Sequence, residues 1–198
     1  MTLLQRIDGL IENISVTDRQ EENIKGSVGN LTNCLKNKDS GLNVKEVFTN
    51  GSYERDTIIR PLNDIDLFAV LKKEEWNDKF GNLPNPQAVL TKIKDYLNGQ
   101  NDYKDKAKQD RPCVTVVLSG KDFDVLPSFE QIGGGYQIPN YDLKSWTYSY
   151  PEQLTKHLND VNRDRKYQVK PVIKVVKYWN RENNKIIPSY HIWKKRYN

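Results

Sequence analysis

The sequence predicts a mixed α+β fold, in which a sheet of short apolar strands packs against amphipathic helices. Residues 65–71 and 113–118 are short apolar runs bounded by turn residues, as buried strands are. Elsewhere apolar residues recur at intervals of three and four, which places them on one face of a helix. With 198 residues, the chain is long enough to bury a substantial core without disulfides or a structural metal.

The first part of the chain predicts helix, strand, turn and strand in that order. Residues 3–37 have a helical pattern that includes Thr17 as a candidate N-cap, and we expect a long N-terminal helix there. Residues 44–49 predict a short strand and residues 50–52 a turn. The apolar run at residues 65–71 then predicts a strand that is buried on both faces.

The middle of the chain predicts a helix, a hairpin and a loop. Pro86 suits the first turn of a helix, because its missing N–H group is not needed there. Residues 113–118 and 123–126 predict two strands joined by a hairpin connection at residues 119–122. Residues 132–150 are rich in Gly, Tyr and Pro, and we expect them to form an ordered loop.

The C-terminal segment, residues 151–198, predicts two helices, which begin near Pro151 and Pro171. This segment carries 12 Lys and Arg against 4 Asp and Glu, whereas residues 1–150 carry 19 against 22. An ordinary solvated helix surface and a surface that faces phosphates explain this charge equally well. Because the segment has little room to complete a helical bundle, we expect the natural protein to extend beyond Asn198.

Cysteine and histidine usage and hydropathy exclude several classes of protein. Cys34 and Cys113 lie far apart with no partner cluster, so neither a disulfide framework nor a zinc site is indicated. His157 and His191 are too few and too isolated for a zinc site or a Ser-His-Asp triad. No apolar run reaches membrane-spanning length, and we expect a cytoplasmic protein.

Gly51 and Ser52 form a candidate phosphate cradle between a predicted strand and the residues that follow it. A turn of this kind offers unpaired backbone N–H groups, a flexible glycine and a hydroxyl to an anionic ligand. As an isolated dipeptide, Gly-Ser is more often structural than functional.

Three aspartates lie at predicted strand positions, where carboxylates from neighbouring strands can meet. Asp64 and Asp66 are two residues apart and project from the same sheet face, and Asp124 lies inside an apolar strand. A carboxylate in such a strand is costly unless it meets a cation, and Mg²⁺ prefers carboxylate and phosphate oxygens. An isolated Asp-x-Asp is more often a cap or turn, but the cradle just upstream favours a metal site. Asp122 is better explained as a turn residue.

These residues resemble the signature of the polymerase-beta-like nucleotidyltransferases. More narrowly, the chain is similar to the group that contains oligoadenylate synthetase, cyclic GMP-AMP synthase and the bacterial oligonucleotide cyclases called CD-NTases. The likeness extends from about residue 45 to residue 193. In chain order it is carried by Gly51-Ser52, Asp64-Ile65-Asp66, Asp124, Tyr136-Gln137-Ile138-Pro139, Trp146, Tyr150-Pro151, Lys177-Tyr178-Trp179-Asn180 and Pro188-Ser189-Tyr190-His191.

The resemblance implies a polymerase-beta-like catalytic core in residues 1–150, followed by the incomplete beginning of a helical substrate-binding lobe in residues 151–198. It implies that two Mg²⁺ or Mn²⁺ ions bind to Asp64, Asp66 and Asp124. Asp124 would also help to deprotonate the attacking hydroxyl. The donor triphosphate would be held by Gly51, Ser52, Lys177 and Ser189.

We therefore expect a nucleotidyltransferase that makes a cyclic or linear oligonucleotide second messenger from ATP, GTP, UTP or CTP and releases pyrophosphate. The resemblance implies a role in antiviral (antiphage) signalling, in which the product binds a separate effector protein. One alternative is a nucleotidyltransferase that acts on an RNA 3′ end, as CCA-adding enzymes and poly(A) polymerases do, for which the basic C-terminal segment is suited. The other alternative is a catalytically silent module that binds nucleic acid.

Overall fold

The structure is a computed structural model that describes residues 2–62 and 64–187. Within these ranges the helices are α1 (Leu3–Ile14), α2 (Asp18–Leu35), α3 (Gly51–Glu54), α4 (Lys73–Trp76), α5 (Pro86–Asn98), α6 (Pro151–Asp164) and α7 (Val169–Glu182). The strands are β1 (Val44–Thr49), β2 (Ile65–Leu71), β3 (Ala107–Asp110), β4 (Cys113–Leu118), β5 (Lys121–Glu130), β6 (Tyr136–Pro139) and β7 (Trp146–Ser149). None of the described helices has the length and apolar content that crossing a membrane requires.

The seven strands form one sheet with the order β1-β2-β5-β4-β3, and β6 and β7 extend it from the last residues of β5. Strands β2 and β5 are parallel, whereas the other paired strands are antiparallel. Two parallel strands need a long crossover connection, which α5, β3 and β4 supply here. The parallel pairing aligns the starts of β2 and β5 at the same edge of the sheet.

The hydrophobic core lies between one face of the sheet and helices α2 and α5. Helix α2 contributes Ile24, Leu31 and Leu35, all fully buried, because residues seven and four apart share a helix face. On the sheet side, every second residue of β2 points into this core, and Ile65, Leu67, Ala69 and Leu71 are its members. Alternation therefore places Asp66 and Phe68 on the opposite face of the sheet.

The predicted N-terminal helix over residues 3–37 is in fact two helices, α1 and α2, with a break at residues 15–17. Thr17 is the N-cap of α2, as predicted, and forms a capping box with Gln20. The capping box satisfies backbone groups that a continuous helix would have bonded internally, so the sequence favours a new start at this point.

The prediction of a loop over residues 132–150 is wrong, because β6 and β7 form a hairpin within it. Gly133, Gly134 and Gly135 all have positive φ angles and make the tight turn that leads from β5 into β6. The connection between β4 and β5 is also shorter than predicted. Leu118 pairs with Lys121, so only two residues form the turn, and Asp122 is a strand residue rather than a turn residue.

Candidate active site

Asp66, Asp124 and Thr115 form a single row across three neighbouring strands. Asp66 of β2 pairs with Asp124 of β5, and Asp124 pairs in turn with Thr115 of β4. Their neighbours in each strand belong to the hydrophobic core, so alternation places all three side chains on the opposite face of the sheet. The third predicted carboxylate, Asp64, directly precedes β2 at the same edge.

Burial and mutual repulsion act together on these carboxylates. Burial raises the pKa of Asp66 to about 6, and the negative charges of Asp124 and Asp64 add to this effect. Burial also raises the pKa of Asp124, which the charge of Asp64 raises further, whereas a hydrogen bond from Thr115 lowers it. Asp64 is exposed overall, yet partial desolvation and the charges of Asp122 and Asp110 raise its pKa. The site therefore holds negative charge that a bound cation would stabilise.

Gly51 brings the predicted phosphate cradle directly against Asp66. It is the first residue of α3 and has a φ of 67°, a conformation that glycine adopts without strain. A Cβ atom at this position would lie 1.6 Å from the Asp66 carboxylate oxygen Oδ2, so only glycine allows this approach. Within the described residues the Ser52 hydroxyl has no hydrogen-bond partner, although the Ser52 carbonyl accepts from the Thr57 amide at 2.9 Å.

A buried arginine lies beneath the cradle. Arg55 is 8% exposed, and its Nη1 donates to the side-chain oxygen of Asn50 at 3.3 Å. The Asn50 amide in turn donates to the Asp66 carbonyl at 2.9 Å, which ties the end of β1 to β2. Burial lowers the pKa of Arg55, and the charge of Asp66 opposes that change. The Arg55 guanidinium thus supplies positive charge near the Asp66 carboxylate.

Helix α7 places Lys177 next to the same segment. The Lys177 Nζ donates to the Thr57 carbonyl at 3.0 Å, and Thr57 is the residue that holds the Ser52 carbonyl. On either side of it in α7, Lys174 pairs with Asp56 at 2.8 Å and Arg181 donates to the Arg60 carbonyl at 2.6 Å. These three cations face the segment that follows the cradle.

The environment of Lys177 lowers the pKa of its ammonium group. Burial, followed by the charge of Arg55, lowers the pKa of Lys177 to about 8, while the charge of Asp66 acts in the opposite direction. Two neighbouring cations repel each other, and an anion bound between them would relieve that repulsion. The cradle side of the site thus favours a negatively charged group, as the carboxylate side favours a cation.

The carboxylates suit a divalent metal ion that is shared with a substrate phosphate. They are less suited to a metal ion that is held by protein side chains alone. In residues 2–62 and 64–187 no three His, Cys, Asp or Glu side chains are arranged to hold a metal ion by themselves. Mg²⁺ typically binds to one or two carboxylates together with substrate phosphates and water. Asp66 and Asp124 beside a phosphate cradle match that pattern of donors.

The structure brings most of the predicted site residues together. Asp66 and Asp124 are direct partners, Asp64 adjoins them, and Gly51 touches Asp66. Ser189 lies outside the described residues. Thr115, Thr57 and Arg55 are not among the site residues that the sequence predicts.

Cys113 is a further side chain that the sequence did not assign to this site. It lies two residues before Thr115 in β4 and so shares the same strand face. Burial and the nearby carboxylates, first among them Asp124, raise the pKa of its thiol. A raised pKa favours the neutral thiol over the thiolate, which is the nucleophilic form.

Comparison with known proteins agrees with this geometry. A family model described as Second Messenger Oligonucleotide or Dinucleotide Synthetase domain matches residues 1–162. A cyclic AMP-AMP-AMP synthase from Acinetobacter sp. (strain ATCC 27244 / 9458) is 31% identical over 193 residues, covering 92% of this chain and 53% of that protein. A probable cyclic nucleotide synthase from Bacillus cereus (strain VD146) is 29% identical over 209 residues, covering 90% and 63%.

A solved structure shares the fold. The E. coli MS115-1 CdnC structure with ATP superposes with a TM-score of 0.70 at 16% sequence identity, covering 94% of this chain and 62% of that one. The chain spans about half to two thirds of the length of the curated relatives that it matches. With 94% of this chain covered, the structural match to CdnC includes both the sheet and the helices that follow it.

Proposed function

Because the chain belongs to the family of Second Messenger Oligonucleotide or Dinucleotide Synthetase domains, we propose that it carries the catalytic core of a nucleotidyltransferase. The enzyme would join nucleoside triphosphates through phosphodiester bonds into a cyclic or linear oligonucleotide and release pyrophosphate. One observation supports this most strongly. Two carboxylates in parallel register, Asp66 and Asp124, lie beside a glycine that contacts Asp66 and opens a cradle for phosphate.

In the proposed reaction, the chain's residues hold a triphosphate and accept a proton. A hydroxyl oxygen of the acceptor nucleotide forms a bond to the α-phosphorus of the donor, while the bond from that phosphorus to the β-phosphate oxygen breaks. Pyrophosphate leaves with the bonding electron pair, and the hydroxyl proton passes to the carboxylate of Asp124. Asp and Glu are among the side chains that act as general bases when they lie within hydrogen-bond reach of the proton.

The cradle and the α7 cations would hold the donor. Gly51 and Ser52 offer backbone amides and a hydroxyl, and Lys177 offers a point charge. Lys174 and Arg181 fix α7 against residues 56–60, so they set the place of Lys177 relative to the cradle. We include Ser189 in the triphosphate site on the basis of the resemblance alone.

The residues that would hold divalent cations are Asp64, Asp66 and Asp124, together with oxygens of the triphosphate. We propose two Mg²⁺ or Mn²⁺ ions, which when bound supply Lewis acidity and neutralise phosphate charge. The family uses divalent metal, and the chemistry of this donor set agrees with it.

ATP is the first substrate to test, since one curated relative is named as a cyclic AMP-AMP-AMP synthase. We further propose that the enzyme acts in the cytoplasm and that its product binds an effector protein in antiphage signalling. These parts of the proposal rest on the family and on the resemblance.

The test is to incubate the protein with each labelled nucleoside triphosphate and with all four, in Mg²⁺ or Mn²⁺, and to identify products by chromatography and mass spectrometry. We expect pyrophosphate and an oligonucleotide to form without any added nucleic acid. Label that appears only on added RNA would instead identify an RNA 3′-end transferase. Tight nucleic-acid binding with no release of pyrophosphate under any condition would identify a silent binding module.

A further inference from the structure

Thr115 contacts the carboxylate that the proposed reaction uses as a base and metal ligand. Its hydroxyl Oγ1 donates a hydrogen bond to the Asp124 carboxylate oxygen Oδ1. In the described part of the chain no other group donates to that carboxylate. Thr115 is therefore the side chain to consider when asking what orients the Asp124 carboxylate.

An aspartate needs such a partner to hold its carboxylate in one orientation. The final torsion of an Asp side chain is broad and has no sharp staggered preference, so rotamer preference alone leaves the carboxylate plane free to turn. Thr is β-branched and has few accessible side-chain conformations, especially in a strand. A hydrogen bond from a stiff donor thus limits the rotation of a soft acceptor.

The sheet register fixes the side from which this hydrogen bond comes. Thr115 and Asp66 lie on opposite sides of Asp124, because β4 and β2 flank β5. The hydrogen bond from β4 occupies Oδ1, and among the described residues Oδ2 has no hydrogen-bond donor and is available to a ligand. A carboxylate oriented in this way shares a cation with Asp66 more readily than one that turns freely.

We propose that Thr115 is a positioning residue, which orients Asp124 so that Asp124 and Asp66 bind a divalent cation together. This inference rests on the proposed function, because it assumes a cation bound beside the cradle. Partners that hydrogen-bond to metal-binding side chains typically contribute 10- to 100-fold to metal affinity or activity. We expect Thr115 to contribute within that range.

The opposing explanation is that Thr115 merely fits a sheet, where threonine is common. The two explanations differ in what the hydroxyl does. If only shape matters, Thr115→Val preserves the function, because valine has the same branching and nearly the same volume. If orientation matters, Thr115→Ser preserves it, because serine retains the donor.

The experiment measures Mn²⁺ binding by electron paramagnetic resonance in the presence of a non-hydrolysable ATP analogue. We expect Thr115→Val and Thr115→Ala to raise the Kd for Mn²⁺ by about 10- to 100-fold and Thr115→Ser to restore most of the affinity. Thr147→Val, in the exposed strand position of β7, is the matched control and should bind as the unaltered protein does. Thermal unfolding of each variant shows whether it is folded.

Two results would overturn the inference. One is Mn²⁺ affinity in Thr115→Val and Thr115→Ala equal to that of the unaltered protein, and the other is a loss in Thr115→Ser as large as in Thr115→Val. In both cases the unaltered protein still binds Mn²⁺, so the proposed function stands. Failure of the unaltered protein to bind Mn²⁺ with the analogue would overturn the proposed function and this inference together.

Discussion

The two faces of the central sheet are built for different tasks, although they use alternate residues of the same strands. On one face, Leu67 of β2 and Val125 of β5 are fully buried against α2 and α5. On the other face, Asp66 and Asp124 lie one residue away and in direct register. The first face stabilises the folded state because its apolar side chains are removed from water. The second face holds desolvated negative charge, which lowers the stability of the folded state until a ligand binds.

Stability and function thus depend on alternate residues of the same strands, because side chains in a strand point to opposite faces with a period of two. A substitution on the core face should lower stability and leave the chemistry of folded molecules intact. A substitution at the carboxylates should remove the chemistry and, in the absence of ligand, raise stability. If the two faces are independent, a substitution on one face should leave the property that depends on the other face unchanged.

The largest effect is expected from removal of a carboxylate on the catalytic face. Asp66→Asn and Asp124→Asn should each lower the rate of pyrophosphate release by at least about 10³-fold, because metal-ion stabilisation of a transition state supplies several kcal/mol. Steady-state kinetics with saturating Mg²⁺ measures this loss. Asp95→Asn on the exposed surface of α5 is the matched control, and equal losses in all three variants would contradict the assignment.

The same Asp66→Asn substitution should stabilise the ligand-free protein at neutral pH. The folded pKa of Asp66, about 6, is above the ordinary value of 3.8, so the folded state binds its proton more tightly than the unfolded state does. The stabilising contribution of the protonated carboxyl is complete below the ordinary pKa and is lost as the pH rises through about 6.

Asn cannot ionise, so the variant should gain up to about 3 kcal/mol in the free energy of unfolding at neutral pH. This gain should disappear at acid pH, where Asp66 is protonated in both states. Urea unfolding at both pH values tests the sign. A neutral-pH loss of stability would show that Asp66 is paired strongly enough to offset its burial.

On the core face, Leu67→Ala should lower the free energy of unfolding by about 2–5 kcal/mol, since it leaves a cavity in a fully buried site. Below its unfolding transition, the variant should retain the kcat of the unaltered protein. Denaturant unfolding and steady-state kinetics measure the two effects. A fall in kcat without loss of stability would show that the two faces are coupled through the strand.

Gly51→Ala should destroy the cradle by two separable effects. The substitution adds strain at a positive φ, about 1–3 kcal/mol, and drives a methyl group into the Asp66 carboxylate. Gly81→Ala is the matched control, because Gly81 also has a positive φ, 83°, but an added Cβ there meets nothing within 4 Å. We expect both variants to lose stability through backbone strain, Gly51→Ala more than Gly81→Ala because of the added clash. Loss of nucleotide binding, measured by calorimetry, is expected in Gly51→Ala alone.

The smallest expected effect is on the pH dependence of nucleotide affinity. With a pKa of about 8, the Lys177 ammonium loses its proton at mildly alkaline pH, so affinity for a triphosphate should fall as the pH rises through that value. Lys177→Met should weaken binding by about 10-fold, typical of a hydrogen bond to a charged group, and remove this pH dependence. Lys156→Met on α6, an exposed lysine, should do neither.

Much of the fold and the carboxylate set could be predicted because their signals are local. The apolar run of β2, the proline at the start of α5 and the spacing of Asp64 and Asp66 can each be identified within a few residues. Apolar strands leave few places for a carboxylate, so Asp124 was conspicuous as well.

The contribution of Thr115 could not be predicted because it depends on strand register. The sequence predicted a four-residue connection between β4 and β5, whereas the turn has two residues, with a positive φ at Gly120. A two-residue turn is what pairs Thr115 with Asp124, and a glycine occurs in hairpin turns of several lengths, so Gly120 does not fix the register by itself. Likewise, β6 depends on pairing with β5 and β7 on pairing with β6, which a Gly-rich and Pro-rich segment does not show by itself.

The most direct test of the account is the position of Mn²⁺ in crystals grown with a non-hydrolysable ATP analogue, located by anomalous diffraction. We predict metal at bonding distance from both Asp66 and Asp124, with the triphosphate against Gly51. Metal or triphosphate bound elsewhere, with Asp66 and Asp124 unligated, would contradict the claim that this face of the sheet is the catalytic one.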